Sequence, residues 1–366
     1  MITEDRQAPD DRPLDGEAFT RLMAPFEPFE RPPSIAVAVS GGRDSLALAL
    51  LARDWAASRR GRIVALIVDH GLRAEAAAEA ATTLGLLACH GCDGTILQWS
   101  GAKPSAGLQE AARTARYRLL RDECRRRGIL HLLLAHQADD QAETVTMRAA
   151  RRSGPDGLAG MAAQSEQPEV RLLRPLLGVP RSRLTATLRA RSVQWLDDPS
   201  NADPRFERAR LRASGRGRLQ QPARPGERPG RERDLAAVAV ETLDFQPDGG
   251  MAIDRSRFVR LGRDLQVRLL SRVIQSVGGG EHPPRRDRLA RAVTRLSAPV
   301  ARGKSGKGQD FTLSECRLML RQAPENRRLL WIVGPEHGRR DGRNGAQPLI
   351  PAAFFACGAP LASHLE

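Results

Sequence analysis

From Ser34 onward the chain alternates short, uninterrupted apolar runs with stretches of helical periodicity. SIAVAVS (34–40) and RIVALIVDH (62–70) are continuously apolar, as parallel strands covered on both faces must be. HLLLAH (131–136) is a third such run and TILQW (95–99) a shorter candidate. Between and after them, SLALALLARDWAAS (45–58), AEAAAEAATTLGLLA (74–88), GLQEAARTARYRLLRDECRRRG (107–128) and DDQAETVTMRAAR (139–151) repeat apolar positions at helical spacing. Strands and helices in this alternation predict βαβ units and an α/β fold with a doubly wound parallel sheet.

The alternation has limits at both ends. Residues 1–33 are acidic and Pro-rich around Phe19, Leu22, Met23, Phe26 and Phe29, and read as an N-terminal extension with one short helix. After Asp198 the signal fades, and residues 205–233 carry ten arginines among Pro and Gly with neither period, which predicts a solvated basic linker. Helical segments resume at 235–245, 263–278 and 285–296, and 310–323 and 327–336 look like strands. The expected organisation is an extension (1–33), an α/β domain (34–215), a linker (216–234), a mostly helical domain (235–300) and a mixed C-terminal segment (301–366).

With 366 residues the chain is long enough for two domains. Hydrophobic residues make up 41%, and no apolar run approaches the roughly 20 residues of a membrane span. The first residues lack the basic and apolar regions of a secretory signal, so the five cysteines are expected to be reduced thiols in a cytoplasmic protein. The net charge of +15 comes almost wholly from arginine, since Lys103, Lys304 and Lys307 are the only lysines among 58 basic residues. Guanidinium groups pair bidentately with phosphates, so the excess favours a nucleic-acid partner. One Tyr and nine Phe argue against a broad stacking platform.

Three patterns carry candidate chemistry. Ser40-Gly41-Gly42-Arg43-Asp44-Ser45 joins an apolar strand to a helix start, where backbone amides, the helix dipole and the two hydroxyls suit a phosphate. Asp44 would repel a bare phosphate, so its presence points to a bridging metal ion. His136-Gln137-Ala138-Asp139-Asp140-Gln141-Ala142-Glu143 follows a strand, at the sheet edge where open α/β folds place ligands. Its three acids suit Mg²⁺, a cationic substrate or both, while helix capping explains one or two of them; His136 is either a buried polar group or a base. Asp69-His70 ends the second strand, and Arg113 and Arg116, beside Tyr117, lie one helical turn apart. Cys89-His90-Gly91-Cys92 has no second pair at zinc spacing and reads as incidental, and GKSGKG (303–308) lacks the preceding strand and glycine of a P-loop.

SGGRDS, VDHGLR, ARTARY, AHQADDQAET, RRSGPDGLAGM, RPLLGVPR and WLDDPSNAD follow one another over residues 34–212. In this order they resemble the tRNA(Ile)-lysidine synthetase family of PP-loop (N-type) ATP pyrophosphatases. The resemblance implies a ligase that adenylates C2 of the wobble cytidine of isoleucine tRNA with a CAU anticodon, then joins free L-lysine to it, with ATP and Mg²⁺ as cofactors. It implies ATP contacts from Ser40, Gly41, Gly42, Arg43, Asp44, Ser45, Asp69, His70 and Arg113, and metal contacts from Asp44 and Asp139. Asp44, Asp140 and Glu143 are the implied lysine site; Asp44, His136, Asp139, Asp140 and Glu143 form the implied catalytic set. Arg116, Arg205, Arg208, Arg210 and Arg212 are the implied tRNA contacts. Departures from the family are Gln137 in place of a second histidine, Ala209 in place of an asparagine, and the loss of a leucine-rich helix after position 212. A PP-loop tRNA thiolase using Cys89 and Cys92, and a tRNA-binding relative without catalysis, are the alternatives. The oligomeric state is open, a homodimer being one option.

Overall fold

A computed structural model describes residues 11–151, 153–167, 169–196, 227–279, 283–300, 309–323 and 326–336. The chain divides into two compact units between Ala223 and Arg224. Among the described residues no helix is long and apolar enough to cross a membrane.

In the first unit, strands β1 (Ser34–Val39), β2 (Arg62–Asp69), β3 (Gly94–Gln98), β4 (His131–Leu133), β5 (Gln164–Glu166) and β6 (Arg171–Leu173) form one sheet in the order β3-β2-β1-β4-β6-β5. β1 is parallel to β2 on one side and to β4 on the other, with Ile35 opposite both Ile63 and His131. β2 continues parallel to β3, and β4 parallel to β6. β5, antiparallel to β6, is an edge strand that no apolar run announced. The helices are α1 (Gly16–Met23), α2 (Arg43–Ala57), α3 (Ala76–Cys89), α4 (Leu108–Arg127), α5 (Ala138–Ala150), α6 (Pro155–Leu158) and α7 (Arg181–Ala190).

The unbroken apolar runs follow from burial on both faces. Ile35, Val37 and Val39 join one core with Leu46, Leu50 and Trp55 of α2 and Leu184 and Leu188 of α7. Ala36 and Ala38 face the other core, with Leu120 and Cys124 of α4. Residues 14–26 also belong to the first core, so the expected separate extension is corrected. Asp15 caps α1 by accepting from the Ala18 amide at 2.7 Å, and Phe19, Met23 and Phe26 are buried against α2 and β1. The Leu14 amide donates to Thr187 Oγ1 at 2.8 Å, fixing the start of this segment to α7.

The second unit contains α8 (Glu227–Thr242), β7 (Leu243–Phe245), β8 (Met251–Asp254), α9 (Arg255–Arg260), α10 (Arg263–Gly278), α11 (Arg286–Ser297), β9 (Phe311–Leu313), β10 (Cys316–Gln322) and β11 (Leu329–Pro335). α8 begins inside the segment expected to be linker. It is tied down by Glu232, which meets the buried Arg268 at 3.3 Å and Arg272 at 2.8 Å. The five strands form an antiparallel sheet in the order β7-β8-β11-β10-β9. β8 pairs with β11, so residues 235–300 and 309–336 share one sheet and one core, and no domain boundary falls at 300.

Trp331 anchors that core: fully buried, it donates from Nε1 to the Leu296 carbonyl at 3.2 Å and meets Phe311 edge-on at 5.8 Å. Trp331→Ala should cost about 3–5 kcal/mol, as large aromatic deletions in cores do, with Trp331→Phe costing less. Guanidinium unfolding followed by circular dichroism checks this; equal midpoints for the two variants would contradict it.

Candidate functional site

β1 sits where the sheet changes direction: the chain winds outward through β2 and β3 on one side and through β4 and β6 on the other. Open α/β sheets bind ligands in the crevice that such a switch opens at the carboxyl ends of the strands. The 40–45 turn leaves β1 there, the 136–143 segment leaves β4, and the 174–181 segment leaves β6.

The 40–45 turn is shaped by one glycine and two hydroxyls. Gly41 has φ +83°, and a Cβ there would sit 2.5 Å from Thr83 Oγ1 and 3.2 Å from Leu196 Cδ1. Gly42 has ordinary extended dihedrals and more room, and it begins α2 with no side-chain cap over the first amides. The positive end of α2 therefore opens toward the crevice. The Ser40 amide donates to Ser45 Oγ at 3.1 Å, and Ser45 Oγ donates to the Gly42 carbonyl at 2.9 Å. The buried Ser45 hydroxyl thus braces the turn from within instead of facing outward. From outside, the Leu196 amide donates to the Gly41 carbonyl at 3.1 Å, and the Arg43 guanidinium lies 5.6 Å over the Trp195 ring.

Across the crevice, Gln137 caps α5. Its side-chain oxygen accepts from the Asp139 amide at 2.6 Å, and its own amide donates to Asp140 Oδ2 at 3.1 Å. One oxygen of Asp140 is thus engaged in capping, and Gln137, where the family resemblance expects histidine, is a buried structural residue. Glu143 is buried one turn further along α5.

Arg181, the first residue of α7, joins the two sides. Its Nε lies 3.4 Å from Asp44 Oδ2, one terminal nitrogen 3.9 Å from Asp139 Oδ2 and the other 3.8 Å from Asp140 Oδ1. Burial raises the Asp44 pKa from 3.8 and outweighs the opposing pull of Arg181 and Arg43, with Asp140 adding to the rise. Asp44 Oδ1 is buried with no hydrogen-bond partner. Among the described residues no three His, Cys, Asp or Glu side chains are arranged to enclose a metal ion. Asp44 and Asp139 can offer the one or two carboxylates that suffice when substrate phosphates complete a magnesium shell.

A second group lies along the same rim, at the ends of β2 and β3. Asp69 is buried and accepts from the Gly71 amide at 2.8 Å, which shapes the turn around His70. His70 lies edge-on to Trp99 at 6.2 Å, and burial, reinforced by Arg116, lowers its pKa. Lys103 sits 4.0 Å over Trp99, and Arg113 5.1 Å over Tyr117. Sequence reasoning named His70, Arg113 and Arg116 but gave no role to Trp99 or Lys103, nor to Arg181 and Trp195, although RPLLGVPR ends at Arg181 and WLDDPSNAD begins at Trp195.

Cys89 and Cys92 close α3. Gly91, at φ +68°, ends the helix, Cys89 is exposed, and Cys92 is a buried core residue whose thiol pKa is raised by burial. Both are free thiols. Arg205, Arg208, Arg210 and Arg212, the 197–201 block and the 303–308 segment lie outside the described residues.

Comparison with known proteins is consistent with this geometry. The PP-loop domain family matches residues 15–215, a span that includes α1. A tRNA(Ile)-lysidine synthase of Rhodopseudomonas palustris is 42% identical over 298 residues, covering 76% of this chain and 84% of the relative. One from Methylobacterium nodulans is 43% identical over 297 residues, covering 76% and 85%. A solved U34-tRNA thiolase, NcsA from Methanococcus maripaludis, is more distant: 15% identity and a TM-score of 0.44, over 58% of this chain and 81% of that one.

Two substitutions probe the crevice. Gly41→Ala should destabilise the first unit by about 1–3 kcal/mol, the usual strain of a non-glycine residue in the left-handed region. Thr83→Ala should relieve only the contact and leave the dihedral strain, which thermal melts of the single and double variants would separate. For Asp44 the raised pKa means stability is fullest below the ordinary carboxyl pKa of 3.8 and is lost as pH rises through the folded value. Asp44→Asn should therefore raise the melting temperature of the unliganded protein at pH 7, with the gain vanishing below about pH 4. A lower melting temperature at pH 7 would contradict this.

Proposed function

The chain belongs to the tRNA(Ile)-lysidine synthase family of PP-loop proteins, and from that premise we propose how its crevice carries out the reaction. The activity is an ATP-dependent ligation on isoleucine tRNA. In its finer form, the C2 oxygen of the wobble cytidine in the CAU anticodon attacks the α-phosphorus of ATP, and pyrophosphate leaves. The ε-amine of free L-lysine then attacks C2, the bond from C2 to the adenylate oxygen breaks, and AMP departs. The observation that carries this reading is the facing of an uncapped, glycine-shaped turn at the α2 N-terminus by Asp139 and Asp140, which follow the end of β4, with Arg181 reaching both sides.

Each residue then has a role suited to its setting. The amides of Gly41, Gly42 and the first turn of α2 hold the departing diphosphate, with Ser40 and Ser45 keeping the turn in shape and Arg43 above it. Asp44 and Asp139 are the groups suited to magnesium, which when bound offsets the charge of the polyphosphate. Asp44, Asp140 and Glu143 orient the lysine ammonium. His136, at the mouth of the same segment, or one of these carboxylates takes the proton that the ammonium must lose before it attacks. Asp69, His70 and Arg113 border the nucleotide from the β2 side, with His70 held neutral by burial so that it does not add charge there. Arg116, together with Arg205, Arg208, Arg210 and Arg212, contacts the RNA backbone, where arginine pairs bidentately with phosphate.

The decisive measurement is lysine incorporation into isoleucine tRNA with and without cytidine at the wobble position. Incorporation should require both ATP and that cytidine. Asp44→Ala should cut pyrophosphate release by on the order of 100-fold or more, the scale seen when one charge-stabilising group is removed. Glu143→Ala should depress lysine use more than adenylation; an equal loss in both steps would defeat this division of labour.

A further inference from the structure

Arg181 is one of 55 arginines, and its surroundings set it apart from those whose pairing is purely structural. Glu123 is gripped by Arg126 at 2.7 Å and Arg127 at 2.5 Å, which hold its pKa down to about 2. Asp54 meets Arg53 at 2.6 Å and Arg191 at 2.7 Å and is likewise pulled below the ordinary carboxyl range. Those are two guanidinium groups to one carboxylate, at close range. At Arg181 the arrangement differs: one guanidinium reaches three carboxylates, at 3.4 Å from Asp44, 3.9 Å from Asp139 and 3.8 Å from Asp140, with Arg43 adding positive charge near Asp44.

The backbone places this cation deliberately. Leu176, Val179 and Leu184 are buried in the first core and fix the 174–184 segment. The Ala138 amide, at the start of α5, donates to the Val179 carbonyl at 3.1 Å, locking the 179–181 stretch to the helix that carries Asp139 and Asp140. The Arg181 side chain is only a quarter exposed, and its head lies among the acids.

We propose that Arg181 is a tethered stand-in for the substrate's ammonium. With the crevice empty, its guanidinium fills the space between Asp44, Asp139 and Asp140 and limits their mutual repulsion. When the amine and its companion cation arrive, Arg181 is surplus, and its head swings toward the polyphosphate at the neighbouring turn. Because it must be displaced, it competes with the incoming amine and sets a threshold that only a well-fitting ammonium passes. This assignment rests on the reading of the crevice as an amine site, and it adds a residue to that site.

The consequence is an inverse effect on binding. A ligand's apparent affinity is reduced by the fraction of protein in which its site is open. If Arg181 occupies the site about nine-tenths of the time, removing its charge strengthens amine binding about tenfold. Calorimetric titration of the full chain with L-lysine, and with pentane-1,5-diamine as an ammonium probe lacking the amino-acid head, should show this for Arg181→Met, which keeps much of the stem. Arg181→Lys, which retains a tethered cation, should bind both close to wild type, and provides the comparison if Arg181→Met melts too early for calorimetry. In that case Arg181→Gln takes its place.

Tighter binding of both probes by the uncharged variant supports the proposal. Unchanged or weaker binding overturns it and leaves Arg181 an ordinary structural counterion. Lysine incorporation by the wild-type protein judges the proposed function separately. A protein that incorporates lysine but gains no affinity on loss of Arg181 refutes the stand-in alone. One that fails to incorporate lysine refutes the substrate reading, while pentane-1,5-diamine binding still decides whether Arg181 gives way to an ammonium.

Discussion

Strand β1 is hydrogen-bonded in parallel on both of its sides, and the rest of the first unit is arranged around that constraint. A parallel neighbour on each side forces every connection to travel over a face of the sheet and return, so helices cover both faces and both must be apolar. It also means that β1, β2, β4 and β6 release the chain at the same rim. Three segments far apart in sequence, 40–45, 136–143 and 174–181, converge there because their strands β1, β4 and β6 are neighbours in the sheet. The sheet order places them; the side chains only refine the distances.

Within that frame, charge is distributed unevenly. The chain as a whole carries +15, which draws polyanions over long range and speeds their arrival. The crevice reverses the sign locally, with Asp44, Asp139, Asp140 and the buried Glu143 against Arg181. An acidic pocket in a basic chain suits two kinds of ligand, a polyanion drawn by the overall charge and a small cation drawn by the local one. The helix terminus at Gly42 lies at the border and provides an anion-favouring feature close to the acids, beside Arg43.

Much of this was legible in the sequence, because parallel strands buried on both faces leave unbroken apolar runs and because the 40–45 turn needs a glycine at Gly41. The 136–143 acids were legible as a group, but their division was not: spacing alone does not say that Asp140 spends one oxygen on capping Gln137. Arg181 was illegible for a simpler reason. In a chain with 55 arginines no composition or spacing gives one of them a role; RPLLGVPR ends at Arg181, but only the β6–α7 connection shows that it reaches the acids. The short strands β5, β6, β7 and β8 were missed because three or four residues carry too little periodicity to register. α1 was underrated because a helix of eight residues with polar flanks reads as an appendage, although its apolar side docks on the core of the sheet.

The 40–45 turn is also held by a distant part of the chain. Leu196 donates its amide to the Gly41 carbonyl, and the neighbouring Trp195 lies beneath Arg43. Thr83, from α3, closes the other side of Gly41. A residue with φ +83° persists only where its surroundings overdetermine it, and here two separate parts of the chain, the 195–196 segment and α3, do so. The consequence runs in both directions: whatever shifts Gly41 must shift the backbone at Leu196, and whatever pulls Leu196 away loosens the turn. The segment leading out of α7 is therefore mechanically part of the phosphate turn, and through Arg181 the start of the same helix is electrostatically part of the acid cluster. α7, which contributes no member to either sequence motif, connects the two halves of the site.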